Sequence, residues 1–185
     1  MHYTKIKGVI GLVVLIAVSV IALASVSVAR ADDDNQPPVL PPTICDKLQV
    51  QPGNEVAFHA YAIGVQIYRW NGVAWDFVRP EATLYADSNY RGKVGIHYGG
   101  PTWESNSGSN VVGKRLEGCS PDSTAIDWLL LQATSNSDPG IFGAVTYIQR
   151  VNTVGGVKPT TPGSSTGVEA RIPYTAEYYF YRAEN

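Results

Sequence analysis

Residues 65–78 read V-Q-I-Y-R-W-N-G-V-A-W-D-F-V. Two β-rich runs flank Asn71-Gly72, a dipeptide that favours the two-residue type I′ turn of a hairpin. That turn predicts the pairs Trp70 with Val73, Tyr68 with Trp75 and Gln66 with Phe77. Side chains alternate along a strand, so Tyr68, Trp70, Trp75 and Phe77 share one face. Val65, Ile67, Arg69, Ala74, Asp76 and Val78 share the other. The aromatic face has two readings. As core it needs no ligand, because cross-strand aromatic pairs stabilise a sheet by themselves. As an open platform it would stack a sugar or another flat molecule, with Tyr68 and Trp75 as ligand contacts.

The flanking chain repeats the pattern. Residues 46–51 read as a weak strand closed by Pro52-Gly53-Asn54, and residues 55–62 alternate well. Pro80 is expected to end the hairpin. Further strands are expected at 82–86, 93–99, 111–117, 126–134, 144–153 and 177–182. Turn residues separate them: Asp87-Ser88-Asn89, N-S-G-S-N at 106–110, Asp138-Pro139-Gly140, and a glycine- and proline-rich loop at 155–167. Eight to ten short strands without a helical period predict an all-β fold, an antiparallel sandwich or barrel. The aromatic strand at 177–182 belongs inside the sheet, because a bare apolar edge invites aggregation.

Residues 94–104, V-G-I-H-Y-G-G-P-T-W-E, hold the best site candidate. On one face of this strand His97 stands between the bare positions Gly95 and Gly99. Glycine inside a strand marks close approach by a backbone or a ligand. Trp103 and Glu104 follow at once. His97, Trp103 and Glu104 are therefore expected to line a shallow site, with aromatics of the hairpin beside it. Asp127 is expected to face solvent at a strand's start, and Arg150 to pair with an acid on a neighbouring strand.

The chain has 185 residues, enough for one domain, with 18 glycines, 12 prolines and 11 tyrosines. Lys5 and Lys7 precede an uncharged apolar run at 8–29, and Ala29-Arg30-Ala31 follows. Basic start, apolar middle and A-x-A end predict a cleaved signal peptide at 1–31. The alternative is an uncleaved anchor over 8–29, since about 20 residues span a bilayer. Residues 32–44, D-D-D-N-Q-P-P-V-L-P-P-T-I, read as an extended linker. The β domain is expected at 45–183, secreted or otherwise outside the cytoplasm. Cleavage removes three of the 14 basic residues and none of the 16 acidic ones, so the charge becomes 11 − 16 = −5. That balance excludes nucleic acid as a partner and leaves a membrane only to an uncleaved leader. Cys45 and Cys119 in an oxidising compartment predict a disulfide. Closing so long a loop stabilises by roughly 4.5 kcal/mol in the chain-entropy model.

Catalytic motifs are sparse. Past residue 31 the only histidines are His59 and His97, and no G-x-S-x-G elbow or H-E-x-x-H spacing occurs. His97 and His59 with Glu104 or Asp127 would make a metal site only if they converged, so no metal is expected. A glycosidase would need Glu104 paired with Glu81, Asp87 or Asp127. The leading expectation is a binding module for a carbohydrate or other small ligand, with no cofactor. The alternatives are a structural or interaction protein of the cell exterior, and a hydrolase using His97 or Glu104.

Several segments resemble one family in order: G-V-Q-I-Y-R-W, P-E-A-T-L-Y-A-D, H-Y-G-G-P-T-W-E, W-L-L-L-Q-A, V-T-Y-I-Q-R-V-N-T-V-G-G and Y-T-A-E-Y-Y-F-Y-R. The chain from Cys45 to Arg182 is similar to DUF3455, exported bacterial and fungal proteins of unknown function. The resemblance implies an exported single domain. It supplies no activity and no catalytic residues. A nucleotide-dependent dehydrogenase does not fit, since there is no glycine-rich strand-to-helix turn and no βαβ unit.

Overall fold

Period-two alternation runs through most of the chain, and eight antiparallel strands form where it does. The computed structural model describes residues 36–137 and 139–184. The strands are β1 (Asn54–Trp70), β2 (Trp75–Tyr85), β3 (Lys93–Tyr98), β4 (Thr102–Ser105), β5 (Asn110–Cys119), β6 (Trp128–Asn136), β7 (Val145–Gly155) and β8 (Glu169–Ala183). Each pairs with the next in sequence. β8 returns to pair with β1 from Asn54↔Ala183 to Arg69↔Glu169, which closes an up-and-down barrel. Closure removes every sheet edge, so the aromatic last strand lies between β7 and β1.

Four local expectations need correction. Residues 46–51 form a 3-10 turn, Asp46–Leu48, and not a strand. The residues expected as two strands at 55–62 and 65–70 are one continuous strand, β1. β2 also runs straight through Pro80, which pairs with Gln66. β3 stops pairing with β2 at Ala82↔His97, so Pro80 has a neighbouring strand on one side only, where a sheet tolerates proline. Finally, the hairpin pairs Trp70 with Trp75 and Tyr68 with Phe77. Type I′ needs positive φ at both central residues, yet of Asn71 and Gly72 only Gly72 has it, at 99°. Asn71 instead accepts the backbone N–H groups of Val73 and Ala74 on its Oδ1 at 2.9 and 2.8 Å. The partner shift is two residues as far as Tyr68, an even shift that keeps those side chains on their face. A bulge between Ile67 and Tyr68 makes it three at Gln66, which meets Pro80 where Phe77 was expected.

The sheet separates two apolar clusters. Inside the barrel lie residues from every strand, among them Ala60, Leu84, Trp103, Val111, Leu131, Ile148, Tyr178 and Phe180, with Phe142 from the β6–β7 loop. Outside, Leu48, Val56, Trp128, Leu130, Tyr147, Val151, Tyr179 and Tyr181 form a second cluster around Cys45 and Cys119. These two cysteines are bridged across 74 positions of sequence. The segment from Leu40 to Val50 packs on this outer face. The signal-peptide expectation, like the start of the linker, lies outside the described residues. Among those described, no helix is long and apolar enough to cross a membrane.

Candidate functional site

The strands end at different heights, and that difference makes a cavity. The β1–β2 hairpin extends beyond the short β3–β4 pair, which stops at the Gly99–Pro101 turn. The barrel is left open at this end, with a cavity of about 830 Å³. This lies within the usual range for small-molecule sites, roughly 300–1,000 Å³. Tyr68, Phe77 and Pro80 form one wall; Ile126, Leu129 and Leu131 form the facing wall. His97, Trp103 and Tyr178 line its inner part.

His97 and Trp103 are directly opposed on β3 and β4, and their rings stack at 4.3 Å and 10°. Tyr178 meets both rings edge-on, at 5.3 and 5.4 Å. Both residues are buried, at 3% and 1% exposure, so the expected shallow surface site is replaced by an interior one. Of the glycines beside His97, Gly95 admits backbone, not ligand, and Gly99 faces the Arg79 side chain. A Cβ on Gly95 would lie 2.2 Å from the Glu104 carbonyl oxygen of β4.

The electrostatics of the cavity are specific. His97 Nδ1 donates to the Thr102 carbonyl at 2.8 Å, which leaves Nε2 as a bare acceptor. Burial drives the His97 pKa down to about 3; the Thr102 bond opposes this and the Arg150 charge adds to it. The ring is therefore neutral. Arg150 donates from Nε and Nη2 to the Asp127 carbonyl at 3.0 and 2.8 Å. It does not pair with an acid as expected: among the described residues no carboxylate lies within ion-pair distance. Asp127 instead bonds Arg115 at 3.2 Å and Ser120. Asp127 stands just before β6 with its side chain 38% exposed, facing solvent as expected, and it pairs with Arg115. Two further donors on lining residues lack partners, Trp103 Nε1 and Gln66 Nε2. The Gln66 amide lies close enough to lower the Tyr174 phenol pKa against burial, but outside hydrogen-bond geometry.

Of the expected site residues, His97, Trp103 and Tyr68 come together here. Glu104 and Trp75 do not. Glu104 opposes Ile96 on the outer face and accepts from the Tyr98 hydroxyl at 2.8 Å. His97 and Glu104 thus sit on opposite sides of one sheet and cannot share a substrate atom, which removes that acid–base pair. Trp75 donates to the Thr161 carbonyl at 2.9 Å, beside Trp70, under the 156–168 loop. The aromatic face is divided: Tyr68 and Phe77 line the cavity, while the tryptophans hold the loop. Tyr68 ties down the same loop by donating to the Gly156 carbonyl at 2.7 Å.

The family profile "Protein of unknown function (DUF3455)" matches residues 51–182, most of the chain. The chain belongs to the DUF3455 family. No curated protein and no solved structure matches it. The DUF3455 domain therefore has to be read from its own geometry. His59 lies outside the barrel, stacked on Tyr179 at 3.9 Å and bonded to Glu177 at 3.1 Å, far from the chemistry of His97. Burial raises the Glu177 pKa, but hydrogen bonds from His59 and Asn152 outweigh it and leave it below the usual range. Among the described residues no three His, Cys, Asp or Glu side chains converge as a metal site.

Sequence reasoning passed over Gln66, Tyr178 and the cavity role of Arg150. A signal for Arg150 existed: it shares a face of β7 with Ile148, so its parity aims it inward.

Proposed function

We propose that this protein is an exported binding protein that holds a small, largely apolar ligand inside its barrel. The observation that carries this reading is the open-ended cavity floored by the His97–Trp103 stack, with two unpartnered buried N–H groups on its lining. An eight-stranded barrel has an interior just wide enough either to be filled by side chains or to hold one small ligand. Buried donors without partners cost free energy unless something accepts from them. A fully satisfied structural core would carry no such donors. A sugar fits less well than an apolar body, because the walls are mainly Phe77, Pro80, Ile126, Leu129 and Leu131. Export is supported by the Cys45–Cys119 bridge and the A-x-A leader pattern. Intact mass of the exported protein tests the leader: a product retaining residues 1–31 rejects cleavage.

The binding test uses N-phenyl-1-naphthylamine, a neutral dye that brightens in apolar surroundings. The purified protein should enhance its emission, and the dye should quench Trp103. Leu129→Trp, which fills the cavity from β6, should abolish the enhancement while retaining a cooperative melt. No enhancement, or enhancement equal in a folded Leu129→Trp protein, rejects the reading.

A further inference from the structure

We infer that the cavity selects an organic anion, a carboxylate on an apolar body, and that Arg150 is its anchor. This rests on the cavity reading above and adds the ligand's charge and polar end.

The argument starts from charge balance. Four cationic side chains line the cavity: Arg79, Arg115, Arg150 and Lys158. Two are ion-paired with acids, one of which, Glu81, is shared with Arg171. Arg79 pairs with Glu81 at 2.9 Å and Arg115 with Asp127 at 3.2 Å. Arg150 and Lys158 have no acidic partner among the described residues. The chain as a whole is acidic, with 14 basic against 16 acidic residues. Lys158 is exposed, so Arg150, partly buried, is the unneutralised cation that reaches inward. Removing a guanidinium from water without a counter-charge is costly, and proteins normally pair it.

Geometry then fixes the role. Arg150 stands on β7 beside Ile148, so its stem runs along the inner wall. Its two bonds to the Asp127 carbonyl use Nε and Nη2 and clamp the fork in place. Of five guanidinium N–H groups this leaves three, including both on Nη1, with the Tyr178 hydroxyl close enough to the guanidinium to feel it as a hydrogen-bond partner. Its charge is felt by His97, Tyr68, Tyr174 and Tyr178, which places it centrally. Two donors on the lining are also unpartnered, Trp103 Nε1 and Gln66 Nε2, against one free acceptor, the neutral His97 Nε2. A cation with free N–H groups and no counter-charge calls for an acceptor that carries negative charge, and a planar carboxylate matches the guanidinium fork. The apolar walls call for a hydrocarbon or aromatic remainder. A sugar offers neither the charge nor the apolar bulk.

The experiment compares decanoate with 1-decanol as competitors of N-phenyl-1-naphthylamine on the full protein. They share a chain and differ at the polar end. Decanoate should displace the dye at roughly tenfold lower concentration or better, as a charge-assisted bond contributes over a neutral one. Arg150→Met should erase that preference, so that acid and alcohol displace the dye at similar concentrations. Arg150→Gln keeps a donor for the Asp127 carbonyl; it serves if the Met variant melts early, and it too should lose the preference. Arg150→Lys keeps charge without the fork and should retain only part of it. Equal displacement by acid and alcohol, or a preference surviving in a folded Arg150→Gln protein, overturns the anion inference and leaves the binding reading standing. Failure of the dye itself to bind overturns both.

Discussion

The two ends of the barrel interior use the same eight strands to opposite effect. At one end Phe58, Phe142 and Phe180 meet with ring centroids 4.8–6.2 Å apart, and the interior is filled. At the other, inward positions hold Tyr68, His97, Arg150 and Gln66, and a cavity remains. The β6–β7 loop accounts for much of the contrast. Asn136 donates from Nδ2 to the Phe142 and Val145 carbonyls at 2.9 and 2.8 Å, folding Phe142 into the mouth as a plug. The opposite loops, at 99–101 and 156–168, rest on the hairpin and leave the interior free. Trp103 is the boundary: it touches Phe180 on one side at 6.1 Å and stacks on His97 on the other. Tight packing is concentrated at one end and the proposed binding cavity lies at the other, so each should be alterable with little effect on its counterpart.

The largest expected effect falls at the filled end. Phe180 is fully buried among aromatic rings. Phe180→Ala should cost about 3–5 kcal/mol by lost transfer energy and the void left behind. Urea denaturation measures it. A cost under about 1.5 kcal/mol would mean that the plug collapses freely and that the ends do not differ as described.

At the boundary, His97 ties the contrast to pH. Its pKa is about 3 in the folded protein and about 6.5 unfolded. The folded value is depressed, so the unfolded chain binds the extra proton. Stability is complete above pH 6.5 and falls as pH drops from there toward 3. The loss is roughly 1.4 kcal/mol per pH unit, about 2 kcal/mol by pH 5. Glu177, held below its usual range on the outer face, adds its own loss only below about pH 4.5. Denaturation at pH 7 and pH 5 should show the His97 loss, and His97→Gln should abolish it. An unchanged slope in that variant would assign the acid sensitivity elsewhere.

What the sequence made legible follows from periodicity. Alternation predicts strands and faces, so the all-β class, the placing of His97 on the face of Gly95 and the shared face of Tyr68 and Phe77 are readable from the order of residues alone. The hairpin shows how far this carries: next to the turn the register differs by two and the faces are kept, while the bulge between Ile67 and Tyr68, which periodicity does not announce, makes the difference three beyond it. The cavity was not readable, because it depends on where β3 stops beside β2, and strand ends are set by pairing partners distant in sequence. Glu104 misled for the same reason. Adjacent in sequence to Trp103, it is on the opposite side of the sheet. Arg150 was hidden by an assumption of pairing, which parity with Ile148 alone argues against.

The smallest expected effect is the sharpest test of the two-ended design. Phe77 lines the cavity from the β1–β2 hairpin but is 56% exposed, and its ring meets Tyr68 edge-on at 5.7 Å. Phe77→Ala removes little buried surface, so it should lower stability by under about 1 kcal/mol, against several for Phe180→Ala. Yet an aromatic wall contact contributes about 0.5–1.5 kcal/mol to whatever lies against it. The same variant should therefore weaken N-phenyl-1-naphthylamine binding by roughly two- to tenfold. Phe180→Ala, studied where it remains folded, should leave dye affinity near wild type. The crossed pattern is what matters: one phenylalanine moves stability and spares binding, and the other does the reverse. If both substitutions shift both quantities together, the interior behaves as one continuous core and the division at Trp103 is wrong.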